Sequence, residues 1–372
     1  MNKLGNRELI GKDMNIIGII GINGKSTIAH MIHHCYLALG IDSAVGITEE
    51  ILQKIDDKSY EKKVKDAIIE ICQSDIKEKK AGYIDFDTLI FTNSDENAEI
   101  NDNWTMKRPF IALPLNKTAV INIDDEQGVD FCNMAIAQVI TYGFNELADV
   151  KACNIKLSID KTRFDLYHKG SFTCRIEIPY FGFYNLYNIL ATIAYFVSEG
   201  YEPVRIAQLL PNLPRMEGKF DTFLTDSQIR IIIDYARNPA AIKALLSSLK
   251  TVCSGNIVTI TGANEKTSTS MRMLMGEVAL SHSKQVVITS DNPGGEEPQN
   301  IIYDMIKGSV RQNYRLCIDR EKAIEIALKL AKPQDVVVIL GKGHEKKQII
   351  KEKEHAFCDK KIAEYLIEKL EV

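Results

Sequence analysis

A glycine-rich turn ending in a lysine and two hydroxyls lies near the start of the chain, Gly21-Ile22-Asn23-Gly24-Lys25-Ser26-Thr27. These residue types suit a phosphate. Glycines let the backbone wrap closely around an anion, N–H groups at a helix start point at it, and a lysine adds positive charge. A hydroxyl at Ser26 or Thr27 can bind the Mg²⁺ that travels with a nucleotide. The cradle is therefore read as Gly21, Asn23, Gly24, Lys25, Ser26 and Thr27. The general P-loop spacing asks for a glycine five positions before Gly24, and Ile19 stands there. A turn whose glycines serve only tight packing is the alternative. The lysine directly after the second glycine, with a hydroxyl following at once, argues against it.

The elements around this turn are those such a cradle needs. Asn15 to Ile20 is an apolar β-branched run that predicts a buried strand, and Ile28 to Leu39 carries a helical pattern. Strands and helices then alternate to about Tyr142, with short apolar runs at Ala67–Cys72, Thr88–Thr92 and Ala119–Ile123. Ala135 to Tyr142 reads as a further strand or a short helix. Alternation predicts a parallel sheet covered by helices. Asp56 to Lys65 reads as a solvated loop and helix face, and Val150 to Ile178 as hairpin strands. A helix carrying Asn185, Asn188 and Ala191 ends near Gly200, and the prolines of Pro211–Arg215 mark a hinge or linker. A second βα series follows, with strands at Ile229–Asp234, Ile257–Thr261, Gln285–Ser290 and Val336–Leu340, and helices at Ala240–Lys250, Glu297–Gly308 and Lys322–Ala331.

Open parallel sheets bind ligands at their strand ends. Glu70 ends one apolar run, where an acidic residue can hold Mg²⁺ directly or through water; read alone, a surface carboxylate is the simpler account. Thr92-Asn93 and Asn122-Ile123-Asp124-Asp125 end two more. In the C-terminal half, Asp234-Tyr235-Ala236-Arg237-Asn238-Pro239, Asp291-Asn292-Pro293 and Gly341-Lys342-Gly343-His344-Glu345 each follow a strand. Each alone has a reading as turn chemistry before a helix. Their recurrence on successive strand ends weakens that reading.

At 372 residues the chain is long enough for two or three domains with ample cores. The formal net charge of −4 comes with no dominant basic patch, which makes nucleic acid a poor partner. No apolar run approaches the roughly 18 residues of a membrane span, and Met1 to Asp13 lacks an apolar signal core. The eight cysteines show no zinc spacing and sit mostly in apolar context, which predicts buried, reduced thiols. The expectation is a soluble, cytoplasmic protein.

The phosphate turn resembles the nucleotide loop of the Mur ligase superfamily, usually Gly-Thr-Asn-Gly-Lys-Thr-Thr, which also lacks the general spacing. Further motifs follow in order. Glu70-Ile71-Cys72 is similar to the family's Glu-Val-Ser magnesium segment, Phe86 to Asn93 to its next strand, and Asn122-Ile123-Asp124-Asp125 to its Asn-Ala-Asp-Asp turn. Gly182 to Asn188 resembles the adenine-side segment, and Arg215-Met216-Glu217 the interdomain Arg-Met-Glu. Asp234-Tyr235-Ala236, Ser290-Asp291-Asn292-Pro293 and Gly341 to Gln348 complete the set. The last two are most like the ligase that adds the third peptide residue to UDP-N-acetylmuramoyl-dipeptide. The resemblance covers nearly the whole chain from residue 15.

What the resemblance implies is specific. The fold is α/β: a central P-loop nucleotide-binding domain over 1–213, with a parallel sheet plus a small β segment, and a C-terminal Rossmann-like α/β domain over 214–372. The chemistry is ATP- and Mg-dependent amide formation between small-molecule carboxylate and amine substrates, linked to cell-wall metabolism. A carboxylate is phosphorylated to an acyl phosphate, an amine attacks, and phosphate leaves. Lys25 and Arg215 are the implied catalytic residues, Ser26 and Glu70 the metal ligands. Asn185, Asn188 and Asp234 join the loop in holding ATP, while Asp291, Asn292, Lys342, His344 and Glu345 face the substrate.

The departures from the family cluster away from the ATP loop. The phosphate turn begins within the first 25 residues, so the resemblance leads to the expectation that the family's N-terminal UDP-sugar domain has no counterpart here. That implies a carboxylate held without a UDP handle, or a protein partner supplying the missing domain. Leu113 stands where the family carries a carbamylated lysine, with Lys107 and Lys117 off register. Asp95-Glu96-Asn97 replaces a metal histidine, and Arg237 replaces the histidine of Asp-Tyr-Ala-His. Gly294 stands where diaminopimelate-specific ligases carry arginine, so no guanidinium fork awaits a distal carboxylate. The acidic pair Glu296-Glu297 would suit an amine, or simply a solvated helix start. Two readings follow: an active ligase with a different acid, or a nucleotide-binding relative that has lost ligation and acts as a partner or regulator. An unrelated P-loop ATPase is a third.

Overall fold

The computed structural model describes residues 14–55, 64–78, 84–94 and 100–371. The Asp95-Glu96-Asn97 segment and most of Asp56–Lys65 lie outside the described residues. The chain divides into two compact units, Met1–Pro214 and Arg215–Val372.

The first unit is built on a nine-stranded sheet. Its strands are β1 (Asn15–Ile20), β2 (Ser43–Ile47), β3 (Asp66–Ile71), β4 (Thr88–Phe91), β5 (Thr118–Asn122), β6 (Gln138–Gly143), β7 (Val150–Leu157), β8 (Thr162–His168) and β9 (Ser171–Ile178). They lie in the order β2-β3-β1-β4-β5-β6-β7-β8-β9. The first six pair in parallel, and their near-continuous apolar runs fit strands covered on both faces. Alternate residues of β1 supply the two cores. Ile17 and Ile19 face the helices Lys25–Ala38 and Phe183–Ser198. Ile16 and Ile20 belong to the opposite cluster, where Phe91, Phe110 and Phe131 pack ring to ring. Each fully buried isoleucine contributes about 1.5–3 kcal/mol. The hairpin strands expected over 150–178 form an antiparallel meander that continues the same sheet. They join it through a short parallel pairing of Tyr142 with Val150 and Gly143 with Lys151.

The second unit has a six-stranded sheet in the order β10-β11-β15-β12-β13-β14 and a separate hairpin, β16-β17. The strands are β10 (Asp221–Leu224), β11 (Arg230–Asp234), β12 (Ile257–Thr261), β13 (Gln285–Thr289), β14 (Tyr314–Cys317), β15 (Val336–Leu340), β16 (Lys347–Ile350) and β17 (Lys353–Ala356). All sheet pairings are parallel except β10 with β11. Strand β15 comes last in sequence yet lies centrally, so the loops after β15, β12 and β13 share one sheet edge. Behind that edge sits a buried ion pair. Arg320 holds Asp359 with two 2.8 Å hydrogen bonds and donates to the carbonyl of Leu340 at 2.8 Å.

One expectation is corrected here. All eight cysteines are free thiols, but Cys35 alone is buried, Cys72 is exposed and the other six are half-buried. Several of them stand on strands or at helix ends near the surface, so apolar neighbours in sequence did not translate into depth. No helix among the described residues is long and apolar enough to cross a membrane.

Candidate functional site

The glycine turn follows β1, and the helix Lys25–Ala38 starts directly after it. Gly24 is its N-cap, at φ 91°, a left-handed conformation that favours glycine. A helix leaves its first N–H groups without intrahelical acceptors, and Gly24 has no side chain to cap them. No acidic residue occupies the first turn. The positive end of the helix is thus open to an anion.

The turn is held from the neighbouring strand. Asn93, just beyond β4, uses its side-chain amide twice: it accepts from Asn23 N at 2.9 Å and donates to Asn23 O at 3.1 Å. Thr92 Oγ1 donates to the same carbonyl at 2.8 Å, and Ile22 N donates to Asn93 O at 3.1 Å. On the other side, Asn188 Oδ1 lies 2.4 Å from the point a Cβ on Gly24 would occupy. Asn188 donates to Asn185 Oδ1 at 3.4 Å, and Asn185 donates to Phe181 O at 2.9 Å. The sequence showed Thr92 and Asn93 only as polar groups at a sheet edge; they are the brace of the turn.

Lys25 folds back over the turn, its Nζ donating to Gly21 O at 2.6 Å and Ile22 O at 3.2 Å. Burial pushes its pKa down, opposed by the nearby Cys72 and Glu70. Ser26 Oγ donates to Glu70 Oε2 at 2.5 Å. A hydroxyl and a carboxylate oxygen thus meet beside the ammonium. Two hard oxygen donors on half-buried residues suit Mg²⁺, which keeps several waters and takes its remaining ligands from phosphate. No group of three or more His, Cys, Asp or Glu side chains among the described residues could hold a metal alone.

In the second unit the predicted substrate residues gather at the edge shared by β12, β13 and β15. Lys342 is fully buried and donates to Asn292 Oδ1 at 3.0 Å and Glu345 Oε2 at 3.1 Å. Asn292 also donates to Glu345 at 2.8 Å. Asp291 Oδ1 lies 3.6 Å from Lys342 Nζ and accepts no hydrogen bond; burial raises its pKa, opposed by Arg320 and Lys342. Gln348 donates to Asp291 O at 2.7 Å, locking the β16 hairpin to this loop. His344 is exposed, its ring 4.9 Å from that of Tyr235. Asp234 closes β11, with Oδ1 accepting from Ala236 N and Oδ2 from Phe220 N, both at 2.8 Å. Burial pushes its pKa up to about 6 against those two amides. Arg215, the first residue of the second unit, is exposed.

Two family models match consecutive parts of the chain: the Mur ligase middle domain over residues 19–196 and the Mur ligase glutamate ligase domain over 215–343. The chain is 30% identical to the UDP-N-acetylmuramoyl-L-alanyl-D-glutamate–2,6-diaminopimelate ligase of Halalkalibacterium halodurans, over 95% of this chain and 78% of that one. The chain belongs to the Mur ligase family. Among solved structures, the pseudomurein peptide ligase type C of Methanothermus fervidus shares its fold at a TM-score of 0.70 and 18% identity, covering 96% of this chain and 79% of that one. The MurF ligase of Thermotoga maritima, in complex with ADP, matches at a TM-score of 0.67 and 17% identity, over 88% and 76% of the two chains.

The Mur-type fold clarifies the departures read from sequence. Leu113 is buried in the apolar cluster of the first unit. Lys107 pairs with Asp130 at 2.7 Å. Lys117 pairs with Asp87 at 2.6 Å, both just ahead of parallel strands and so at the opposite end of the sheet from the phosphate turn. Arg237 stacks on Tyr235 at 4.3 Å and approaches Glu345 at 4.0 Å. The acidic pair is split. Glu296 is held by Arg272 through contacts of 2.8 and 2.6 Å, whereas Glu297 is exposed at a helix N-cap. Arg272 escaped sequence reasoning because a single arginine in a helix carries no pattern. Gly294 faces Glu265, another residue the sequence did not single out.

Proposed function

We propose that this Mur ligase family member is an ATP- and Mg-dependent amide ligase that works through an acyl phosphate. The observation that carries the reading is the convergence of Lys25, the open helix start, Ser26 and Glu70 on one side of the braced turn. Lys25, now on the carbonyls of Gly21 and Ile22, would turn to the β- and γ-phosphoryl oxygens of ATP and neutralise charge that grows in transfer. Ser26 and Glu70 would hold Mg²⁺, which supplies further neutralisation of the phosphates. Asn185 and Asn188 would meet the nucleoside side. The Halalkalibacterium halodurans relative is named as a ligase of UDP-N-acetylmuramoyl-L-alanyl-D-glutamate and 2,6-diaminopimelate, which supports a small carboxylate and an amine here as well. Asp291, Asn292, Lys342, His344 and Glu345 would receive the amine component, with Asp291 and Glu345 as acceptors for its ammonium. Arg215 would act in transfer.

The test is ADP release from the wild-type chain supplied with ATP, Mg²⁺ and a pool of peptidoglycan precursors and amino acids. Release that depends on both the acid and the amine, and is lost in Lys25→Ala, supports the reading; release that ignores both refutes it.

A further inference from the structure

Three stretches of the second unit meet at one point: residues 215–221, the end of β11 at Asp234, and residues 341–346 after β15. Gly218 and Gly343 are both buried there, at φ 72° and 51°. A Cβ on Gly218 would stand 1.9 Å from His344 N and 2.3 Å from the carbonyl carbon of Gly343. A Cβ on Gly343 would stand 2.5 Å from Gly218 O and 2.9 Å from Tyr235 Cβ. The two backbones therefore cross in contact, where neither tolerates a side chain.

Hydrogen bonds fix the crossing on each side. Lys219 N donates to Met216 O at 3.2 Å and Gly218 N to Asp221 Oδ2 at 3.1 Å, closing a tight turn. Phe220 is buried and itself left-handed at φ 58°, and its N–H donates to Asp234 Oδ2 at 2.8 Å. A bulky residue held in that conformation persists only where its surroundings over-determine it. Gly341 N donates to Asp234 O at 3.1 Å, so Asp234 holds both partners of the crossing. The ion pair of Lys346 with Glu217 at 3.3 Å adds little, because both side chains are exposed.

Arg215 is three residues from Gly218, a reach of at most about 10–11 Å. Lys342, His344 and Glu345 flank Gly343. The arginine assigned to phosphoryl transfer and the loop assigned to the amine are thus carried by one junction. Resting on the ligase reading above, we propose that Gly218 is a positioning residue: its contact with Gly343 sets where Arg215 stands relative to the 341–345 loop. Gly218 touches no reacting atom and acts through Arg215.

The test is a double-mutant cycle on the full chain, read as ADP release with ATP, Mg²⁺ and the pool of peptidoglycan precursors and amino acids. Gly218→Ala should lower kcat by about ten-fold or more, since misplacement by about 1 Å can cost about a hundred-fold. KM for ATP and Mg-ADP affinity should stay as in the wild type, the latter as the sign of an intact fold. Gly200→Ala is the control: it has the same left-handed backbone at φ 83° but nothing within 4 Å of its Cβ, and should keep full turnover. Adding Gly218→Ala to Arg215→Ala should cost nothing further, because the glycine acts through the arginine. If Gly218→Ala does not fold, Asp221→Ala, which removes only the side-chain acceptor of Gly218 N, carries the same cycle with a smaller loss. Losses that multiply in the double variant, a raised KM with kcat unchanged, or full turnover in Gly218→Ala would overturn the positioning role. Absence of ADP release from the wild type would instead overturn the ligase reading on which that role rests.

Discussion

Ser26 Oγ donates to Glu70 Oε2 across 2.5 Å, tying the start of the phosphate helix to the end of β3. A hydroxyl and a carboxylate so placed would both become ligands once Mg²⁺ arrives with a nucleotide. Glu70→Gln keeps the shape and removes the charge. Its Mg²⁺ requirement for ADP binding should rise by about 10–100-fold, the range seen when groups supporting a metal are altered. Titrating ADP with and without Mg²⁺ checks this; equal Mg²⁺ dependence in variant and wild type would contradict it.

The brace from Asn93 gives a second prediction. Asn93→Ala removes both side-chain bonds to the Asn23 peptide. At about 0.5–1.5 kcal/mol per bond, nucleotide affinity should fall by about ten-fold as the turn loosens, with the unfolding midpoint little changed. Gly21→Ala should act more severely, since its Cβ would stand 1.9 Å from Thr92 Oγ1 at a φ of 145°. Equilibrium binding of ADP together with thermal melts separates affinity from folding.

The phosphate turn, the strand–helix alternation and the strand-end motifs were legible in the sequence because each depends on local residue types and spacing. The order of strands was not: nothing near Val336–Leu340 says that the last strand of the second sheet lies between β11 and β12. That placement is what brings Lys342 to Asn292, 50 residues away. The short strand Ser43–Ile47, with a glycine in it, and the polar hairpin Lys347–Ala356 also escaped, since both are too brief for periodicity to show. Glu296 looked available in the sequence, whereas Arg272 holds it in the structure. Ion-pair partners are tertiary facts.

Buried charge in the second unit predicts a stability effect. Arg320→Ala would leave Asp359 without its partner in a dry site. Loss of one member of such a pair costs about 3–5 kcal/mol. Urea unfolding should therefore shift strongly in Arg320→Ala. A double variant, Arg320→Met with Asp359→Leu, should recover much of the loss, because desolvating the pair offsets its attraction.

Asp234 predicts a pH dependence with a defined sign. Its folded pKa, about 6, stands above the ordinary 3.8. The folded state therefore holds the proton more tightly than the unfolded state. Ionisation costs stability: the second unit should lose it as pH rises through the window from about 4 to 6, and the loss should be complete above that window. The difference in unfolding free energy between wild type and Asp234→Asn should fall across this window and level off beyond it. A difference that is flat from pH 3.5 to 7, or that grows with pH, would contradict the burial argument.

In the proposed reaction the chain phosphorylates a carboxylate rather than water. Precursor acids labelled with ¹⁸O in their carboxyl groups, supplied with ATP, Mg²⁺ and amines, test it directly by mass spectrometry of the released phosphate. Breakdown of an acyl phosphate by amine attack carries one carboxyl oxygen into phosphate, so ¹⁸O-labelled phosphate should appear in step with ADP, and none from Lys25→Ala. Unlabelled phosphate appearing with ADP would show hydrolysis of ATP by water and rule out an acyl phosphate.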